Sequence, residues 1–156
     1  MLMGGAHFLL VDDEKVFVEA LAQRLEERGF EVDCAFSGAE ALKQLENNRP
    51  IDIVLLDRRM PDLDGVQAMK EIKKAHPLVE VIILTGHAEI DSAVDAVKHG
   101  AFDYLEKPCG IDQLLLKAQR AFARKTEREE KIREVRMKPY LSPKERDALI
   151  AKILEN

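Results

Sequence analysis

The sequence predicts an α/β fold, a doubly wound five-stranded parallel sheet, on three observations. Short apolar runs alternate with longer segments of helical period. The strand-plus-helix unit repeats five times. The first, third and fourth runs are almost continuously apolar, as parallel strands covered on both faces must be.

Each element has its own signal. The strands are read as HFLLV (His7–Val11), FEVDCA (Phe30–Ala35), IDIVLLD (Ile51–Asp57), VEVIILT (Val79–Thr85) and DYLEK (Asp103–Lys107). Between them EKVFVEALAQRLEERG, SGAEALKQLENN, DGVQAMKEIKKAH and IDSAVDAVKHG space apolar residues three and four apart, with Gly or Pro near their ends. A fifth helix passes Leu114 and continues through QRAFARKTEREEKIREVRMK, where charge rises and the apolar stripe is expected to fade. A heptad through Leu115, Ala118 and Phe122 next meets Lys125 and Glu129, which argues against a long coiled coil. Pro139 ends it. A last short helix begins at Ser142 as N-cap, with Pro143 at its first position and Glu145 closing a capping box. Leu149, Ile150 and Ile153 give it one apolar face, expected to cover either its own domain or, in preference, a partner subunit. The expected organisation is one domain over residues 1–125, a charged helical extension over 126–141 and an amphipathic helix over 142–156.

Composition excludes several classes. The chain has 156 residues, 46% hydrophobic and 34% charged, which suits one domain with an appendage. A net charge of -5 gives no general attraction to nucleic acid or an anionic membrane. The only two cysteines, Cys34 and Cys109, have no metal-ligand spacing, so a cytoplasmic location is expected. The opening MLMGGAHFLLVDDE has no basic region before its apolar run and is not read as a signal peptide. No run reaches the roughly 18 apolar residues of a membrane span.

In a doubly wound sheet the functional crevice lies beyond the carboxyl ends of the strands. Asp12 and Asp13 follow the first strand, Asp57 ends the third, Thr85 the fourth and Lys107 the fifth. Singly, each has a plain structural reading. Acids at 12–14 complement a helix N-terminus, Thr85 is a strand-end hydroxyl, and Lys107 is a solvated charge. Together they place three carboxylates, a hydroxyl and an ammonium at one edge, and clustered carboxylates of this kind suit Mg²⁺.

The motifs LLVDDE, VLLDRRMPDLDG, IILTGHA and GAFDYLEKP, in this order over roughly residues 6–125, resemble the receiver domain of two-component response regulators. The stretch TGHAEIDSAVDAVKHGAFDYLEKP is most similar to receivers that control enhancer-dependent transcription. One departure stands after Lys107-Pro108, where a commonly aromatic position is Cys109. The resemblance implies the flavodoxin-like strand order 2-1-3-4-5 and a phosphoacceptor role for Asp57, fed by the phosphohistidine of a sensor histidine kinase. It implies Mg²⁺ on Asp13, Asp57 and the backbone carbonyl of Arg59, with Asp12 acting directly or through water. Lys107 would pair with a phosphoryl oxygen and Thr85 would donate to another. Gly86 would leave room for the group, and Pro108 would follow a cis peptide. Thr85 and Tyr104 would switch the surface of the fourth helix, fifth strand and fifth helix, for a phosphorylation-dependent homodimer or partner binding. Arg59 and His87, two residues after Asp57 and Thr85, would flank the attacking water and slow phosphate loss. The expected protein is a signalling phosphoacceptor rather than an enzyme, without direct nucleic-acid or membrane binding. Two alternatives stay open: the N-terminal receiver piece of a longer DNA-binding transcription regulator, and an aspartyl-nucleophile phosphatase using Asp12 with Glu14.

Overall fold

The computed structural model describes residues 3–47 and 50–155. Five strands, β1 (His7–Val11), β2 (Glu31–Ala35), β3 (Ile53–Asp57), β4 (Glu80–Thr85) and β5 (Asp103–Glu106), form one parallel sheet in the order β2-β1-β3-β4-β5. The helices are α1 (Lys15–Glu27), α2 (Gly38–Glu46), α3 (Gly65–Ala75), α4 (Ile90–Lys98), α5 (Ile111–Arg136) and α6 (Pro143–Glu155). The segment read as the second helix extends in sequence to Asn48, which lies outside the described residues, as do the outermost ends of the first and last expected segments.

Alternation along the strands divides the core in two. Phe8 and Leu10 point into one layer with Val18 and Leu25 of α1 and Leu114 and Ala118 of α5. Leu9 and Val11 point into the other, with Ala41 and Leu45 of α2, Met69 and Ile72 of α3, and Ala93 and Ala96 of α4. β1, β3 and β4 are buried at every position, which is why their sequences are apolar except at the strand ends. The edge strand β5 buries only Leu105. Side-chain caps open α2 and α3: the Ser37 hydroxyl accepts from the Glu40 amide at 3.1 Å, and the Asp64 carboxylate accepts from the Val66 amide at 2.8 Å.

The end of the chain departs from expectation. α5 is one 26-residue helix, about 39 Å long at 1.5 Å per residue, and it runs unbroken through residue 125. Its buried positions are Ile111, Leu114, Ala118, Ala121, Lys125, Arg128, Ile132 and Val135, alternating three and four apart. The seam therefore does not fade; it lies one position before the heptad read through Leu115 and Phe122, and two of its places are taken by cations. Lys125 can fill one because its ammonium reaches Asp52 at 3.0 Å and Glu129 at 3.1 Å while its alkyl stem stays covered. α6 folds back on α5 of the same chain. Its capping box forms, with the Ser142 amide donating to Glu145 at 3.2 Å and the Glu145 amide donating to the Ser142 hydroxyl at 3.1 Å.

Candidate functional site

Strand register assembles the site. Val11 of β1 lies beside Leu56 of β3, so Asp12 and Asp57, the next residues, emerge together. Asp57 pairs with Leu84 of β4, and Thr85 with Glu106 of β5, which sets Thr85 and Lys107 at the same edge. The fifth strand stops at Glu106 and Lys107 stands just beyond it.

One carboxylate oxygen from each of Asp12, Asp13 and Asp57 lies within 4.8 Å of the others. Asp12 is 1% exposed and Asp57 8%, whereas Asp13 is open to solvent. The Lys107 ammonium sits 2.6 Å from Asp12 Oδ2 and 2.9 Å from Asp57 Oδ1, with Glu14 Oε1 at 3.6 Å and the Phe17 ring centroid at 4.5 Å. Asp12 Oδ1 also accepts from the Glu14 amide at 3.0 Å, a local turn that orients it. Asp12 is thus sealed and doubly bonded, a poor position for a nucleophile.

The electrostatics follow from burial and imbalance. Desolvation pushes the Asp57 carboxyl above the ordinary carboxylate range; Lys107 pulls it back, and Asp12 and Asp13 push it up again. Burial disfavours charge on Lys107, but Asp12 and Asp57 outweigh it and hold its pKa above the usual value. Three carboxylates are answered by one ammonium. Hard oxygens with surplus negative charge beside a crevice of about 590 Å³, lined by Asp13, Asp57, Arg58, Arg59 and Asp64, fit Mg²⁺.

Backbone packing fixes the crevice. A Cβ on Gly65 would lie 2.3 Å from the Asp57 carbonyl oxygen and 2.9 Å from Arg58 Cα, so α3 can start this close under Asp57 only with glycine there. A Cβ at Gly86 would meet nothing within 4 Å. The Lys107–Pro108 peptide is cis.

The remaining candidate residues surround this centre. Thr85 is fully buried and its hydroxyl donates to the Gly86 carbonyl at 3.2 Å. Tyr104, half-buried, packs against the core layer of α2, α3 and α4, with the Lys117 ammonium 5.2 Å from its ring centroid. Arg59 and His87 are exposed and turned to rim acids: Arg59 pairs with Glu89, and His87 Nδ1 lies 2.6 Å from Glu106 Oε1. The structure thus joins Asp12, Asp13, Asp57 and Lys107 directly, and sets Thr85, Tyr104, Arg59 and His87 around them.

Three neighbours escaped sequence reasoning. Arg58 spans Asp64 at 3.2 Å and Glu89 at 3.9 Å, closing the crevice wall. Glu89 holds both arginines that follow Asp57. Phe17 supplies the face beneath Lys107. Arg58 was visible as the residue after Asp57; no local pattern marks the other two.

Comparison with known proteins agrees with this fold. The family described as the response regulator receiver domain matches residues 8–119. "Regulatory protein AtoC" of Escherichia coli K12 is 42% identical over 113 residues, 72% of this chain and 24% of that protein. "DNA-binding transcriptional regulator NtrC" of the same organism is 39% identical over 121 residues, 78% of this chain and 26% of that protein. The chain therefore spans about a quarter of the length of these curated relatives. Among solved structures, a receiver domain protein from Clostridium thermocellum superposes with TM-score 0.75 at 41% identity, covering 78% of this chain and 98% of that one. The receiver domain of NtrX from Brucella abortus gives TM-score 0.71 at 38% identity, covering 74% and 98%.

Proposed function

Because the chain belongs to the family of response regulator receiver domains, we propose that Asp57 is its phosphoacceptor, charged by the phosphohistidine of a sensor histidine kinase. The observation that carries this is the Lys107 ammonium bridging Asp12 and Asp57 inside a three-carboxylate cluster at the crevice. An Asp57 carboxylate oxygen attacks phosphorus, the new O–P bond forms as the P–N bond breaks, and the imidazole leaves with the bonding pair. Asp13, Asp57 and the Arg59 carbonyl would hold Mg²⁺, with Asp12 bound directly or through water. When bound, Mg²⁺ supplies positive charge to the phosphoryl oxygens.

The chain's own residues do the rest. Lys107, already 2.9 Å from Asp57, needs only a small shift to pair with a phosphoryl oxygen. The Thr85 hydroxyl exchanges the Gly86 carbonyl for another such oxygen, and the open space beside Gly86 admits the group. Movement of Thr85 frees room for the Tyr104 ring to turn inward and recast the surface of α4, β5 and α5. That surface, with Lys98, Asp103 and Arg120, then pairs across a two-fold axis. The cytoplasm is the compartment such a partnership requires.

Incubation with a small acyl phosphate and Mg²⁺ tests the acceptor: the chain gains one phosphoryl group by mass, and Asp57→Asn gains none. Undiminished labelling of that variant would overturn the assignment. Sedimentation with and without the donor tests the dimer, which fails if the phosphorylated chain stays monomeric. A second reading, that this receiver serves a longer DNA-binding regulator, draws on the short share of AtoC and NtrC that it spans. Among the described residues no helix is long and apolar enough to cross a membrane.

A further inference from the structure

The fold-back of α6 encloses a cleft of about 250 Å³ against the far half of α5. Five cationic side chains line it, Arg124, Arg128, Lys131, Lys138 and Lys152, against one acid, Glu127. This concentration stands out on a chain whose net charge is -5. It shares no lining residue with the crevice at Asp57. The two also lie toward opposite edges of the sheet, since Arg124 pairs with Glu80 at the first residue of β4 whereas Asp57 is the last residue of β3.

Three of the neighbouring cations have partners. Arg124 takes Glu80, Lys125 takes Asp52 and Glu129, and Lys131 takes Glu127 at 2.9 Å. Arg128 does not. It is 8% exposed, and its guanidinium makes no hydrogen bond and no ion pair among the described residues. Burial, and the like charge of Arg124, hold its pKa below the usual arginine value. Glu80 and Glu127 attract it without bonding it, so its nitrogens stay open to water and an anion entering beside it finds free donors. The remaining lining is apolar: Val135 from α5, and Leu149 and Ile153 from α6. The wall is therefore cationic on one part and greasy on the other.

We infer that the α5–α6 cleft binds a small organic dianion, a phosphomonoester in chemical type, with its charged head on Arg128 and a short apolar body against Val135, Leu149 and Ile153. The planar guanidinium offers two parallel donors to such a head, which a lysine cannot. Lys138 and Lys152, exposed at the rim with no ion pair among the described residues, supply the second charge. The volume lies just below the usual range for ligand pockets, about 300–1,000 Å³, and so limits the occupant to a head and a compact body. A ligand touching both helices would also clamp α6 on α5.

Phenyl phosphate is the probe, titrated into the full chain in EDTA so that the acid crevice holds no metal. The expected result is saturable one-site binding, read by calorimetry and by amide shifts confined to α5 and α6. Arg128→Met should weaken it at least tenfold while leaving the melting temperature unchanged or higher, because the variant removes a mostly covered cation that lies beside the like charge of Arg124. The double variant Lys138→Ala with Lys152→Ala, on exposed rim positions, should weaken binding severalfold and flatten its salt dependence, and it carries the test if Arg128→Met does not fold. Inorganic phosphate should bind severalfold more weakly than phenyl phosphate. Absence of saturable binding, or wild-type affinity in both variants, overturns the site; equal affinity for the two probes overturns the apolar half of it.

Discussion

Two buried charge clusters sit at opposite edges of the same sheet, and they are built on opposite rules. At the carboxyl edge, Asp12, Asp13 and Asp57 share one ammonium from Lys107. At the amino edge, Glu80 is fully buried yet held by Arg124 through both guanidinium positions and by Lys73 at 3.4 Å. Lys73 also donates to the carbonyls of Pro77 and Val79 at 2.7 and 2.9 Å. Beside it Lys125 joins Asp52 and Glu129, and Asp52 accepts from the His7 amide at 2.8 Å. Three acids there are bonded to three cations, with Arg128 standing unbonded beside Arg124. Acids bonded one for one by cations hold elements in place, here tying α5 to β4 and to the approach of β3. An unbalanced cluster leaves charge for something that arrives later.

The largest effect expected from this contrast comes from breaking the balanced end. Glu80→Ala leaves the partly buried Arg124 and Lys73 without their shared anion, and the cost of orphaning such charges is about 3 kcal/mol. Urea unfolding measures it. Mg²⁺ affinity at the other edge should stay within about twofold, since sites this separate act independently. A loss under about 1 kcal/mol would show that the amino-edge cluster is ornamental and would dissolve the distinction.

Asp13→Asn tests the unbalanced end. Removing one of three carboxylates should weaken Mg²⁺ binding at least about tenfold, or roughly 1.4 kcal/mol, and shrink the stability that the metal confers on the folded chain. Metal-free stability should hold or rise, because the variant relieves repulsion. Equal Mg²⁺ affinity in both proteins would remove Asp13 from the site.

Protonation sharpens the same point with a smaller effect. The Asp57 pKa is raised in the folded chain, chiefly by burial, so the folded state binds its proton more tightly than the unfolded state does. Its contribution is fully present below the unfolded carboxylate value and is lost as pH rises through the folded one. Without Mg²⁺, the stability of the wild type relative to Asp57→Asn should therefore fall from acid to neutral pH. A difference that rises instead would mean that Lys107 outweighs burial at this carboxylate.

How much of this was legible follows from distance in sequence. The strands of the buried sheet centre announce themselves because both faces need apolar side chains, and Asp12, Asp13, Asp57, Thr85 and Lys107 because strand ends converge by topology. Ser142 and Glu145 are three residues apart, so their capping box could be read directly. Glu80 was only a polar interruption in VEVIILT; its partner Arg124 is 44 residues away, and nothing local ties them. Lys125 misleads the reading of α5, since a cation in a seam looks like the end of the seam unless its partner is known.

The smallest expected change in stability is at the rim of the unbalanced end. Arg59 and His87 are exposed, with side chains 76% and 90% accessible, and each is paired with an acid, Glu89 and Glu106. Exposed pairs of this kind contribute little, so Arg59→Ala with His87→Ala should alter unfolding by no more than about 0.5 kcal/mol. Their placement is another matter. Glu89 holds Arg59 on the crevice that opens at Asp57, and Glu106, the register partner of Thr85, holds His87; we expect both side chains to obstruct in-line approach of water to a phosphoryl group. The double variant should therefore lose phosphate from Asp57 severalfold faster, followed by mass after the donor is removed. An unchanged or slower loss refutes the shielding role. The expected outcome is the mirror image of Glu80→Ala, in which stability falls and the metal site is untouched: at the edge where charge is left over, residues that hold little together would still set how long a phosphoryl group stays on Asp57.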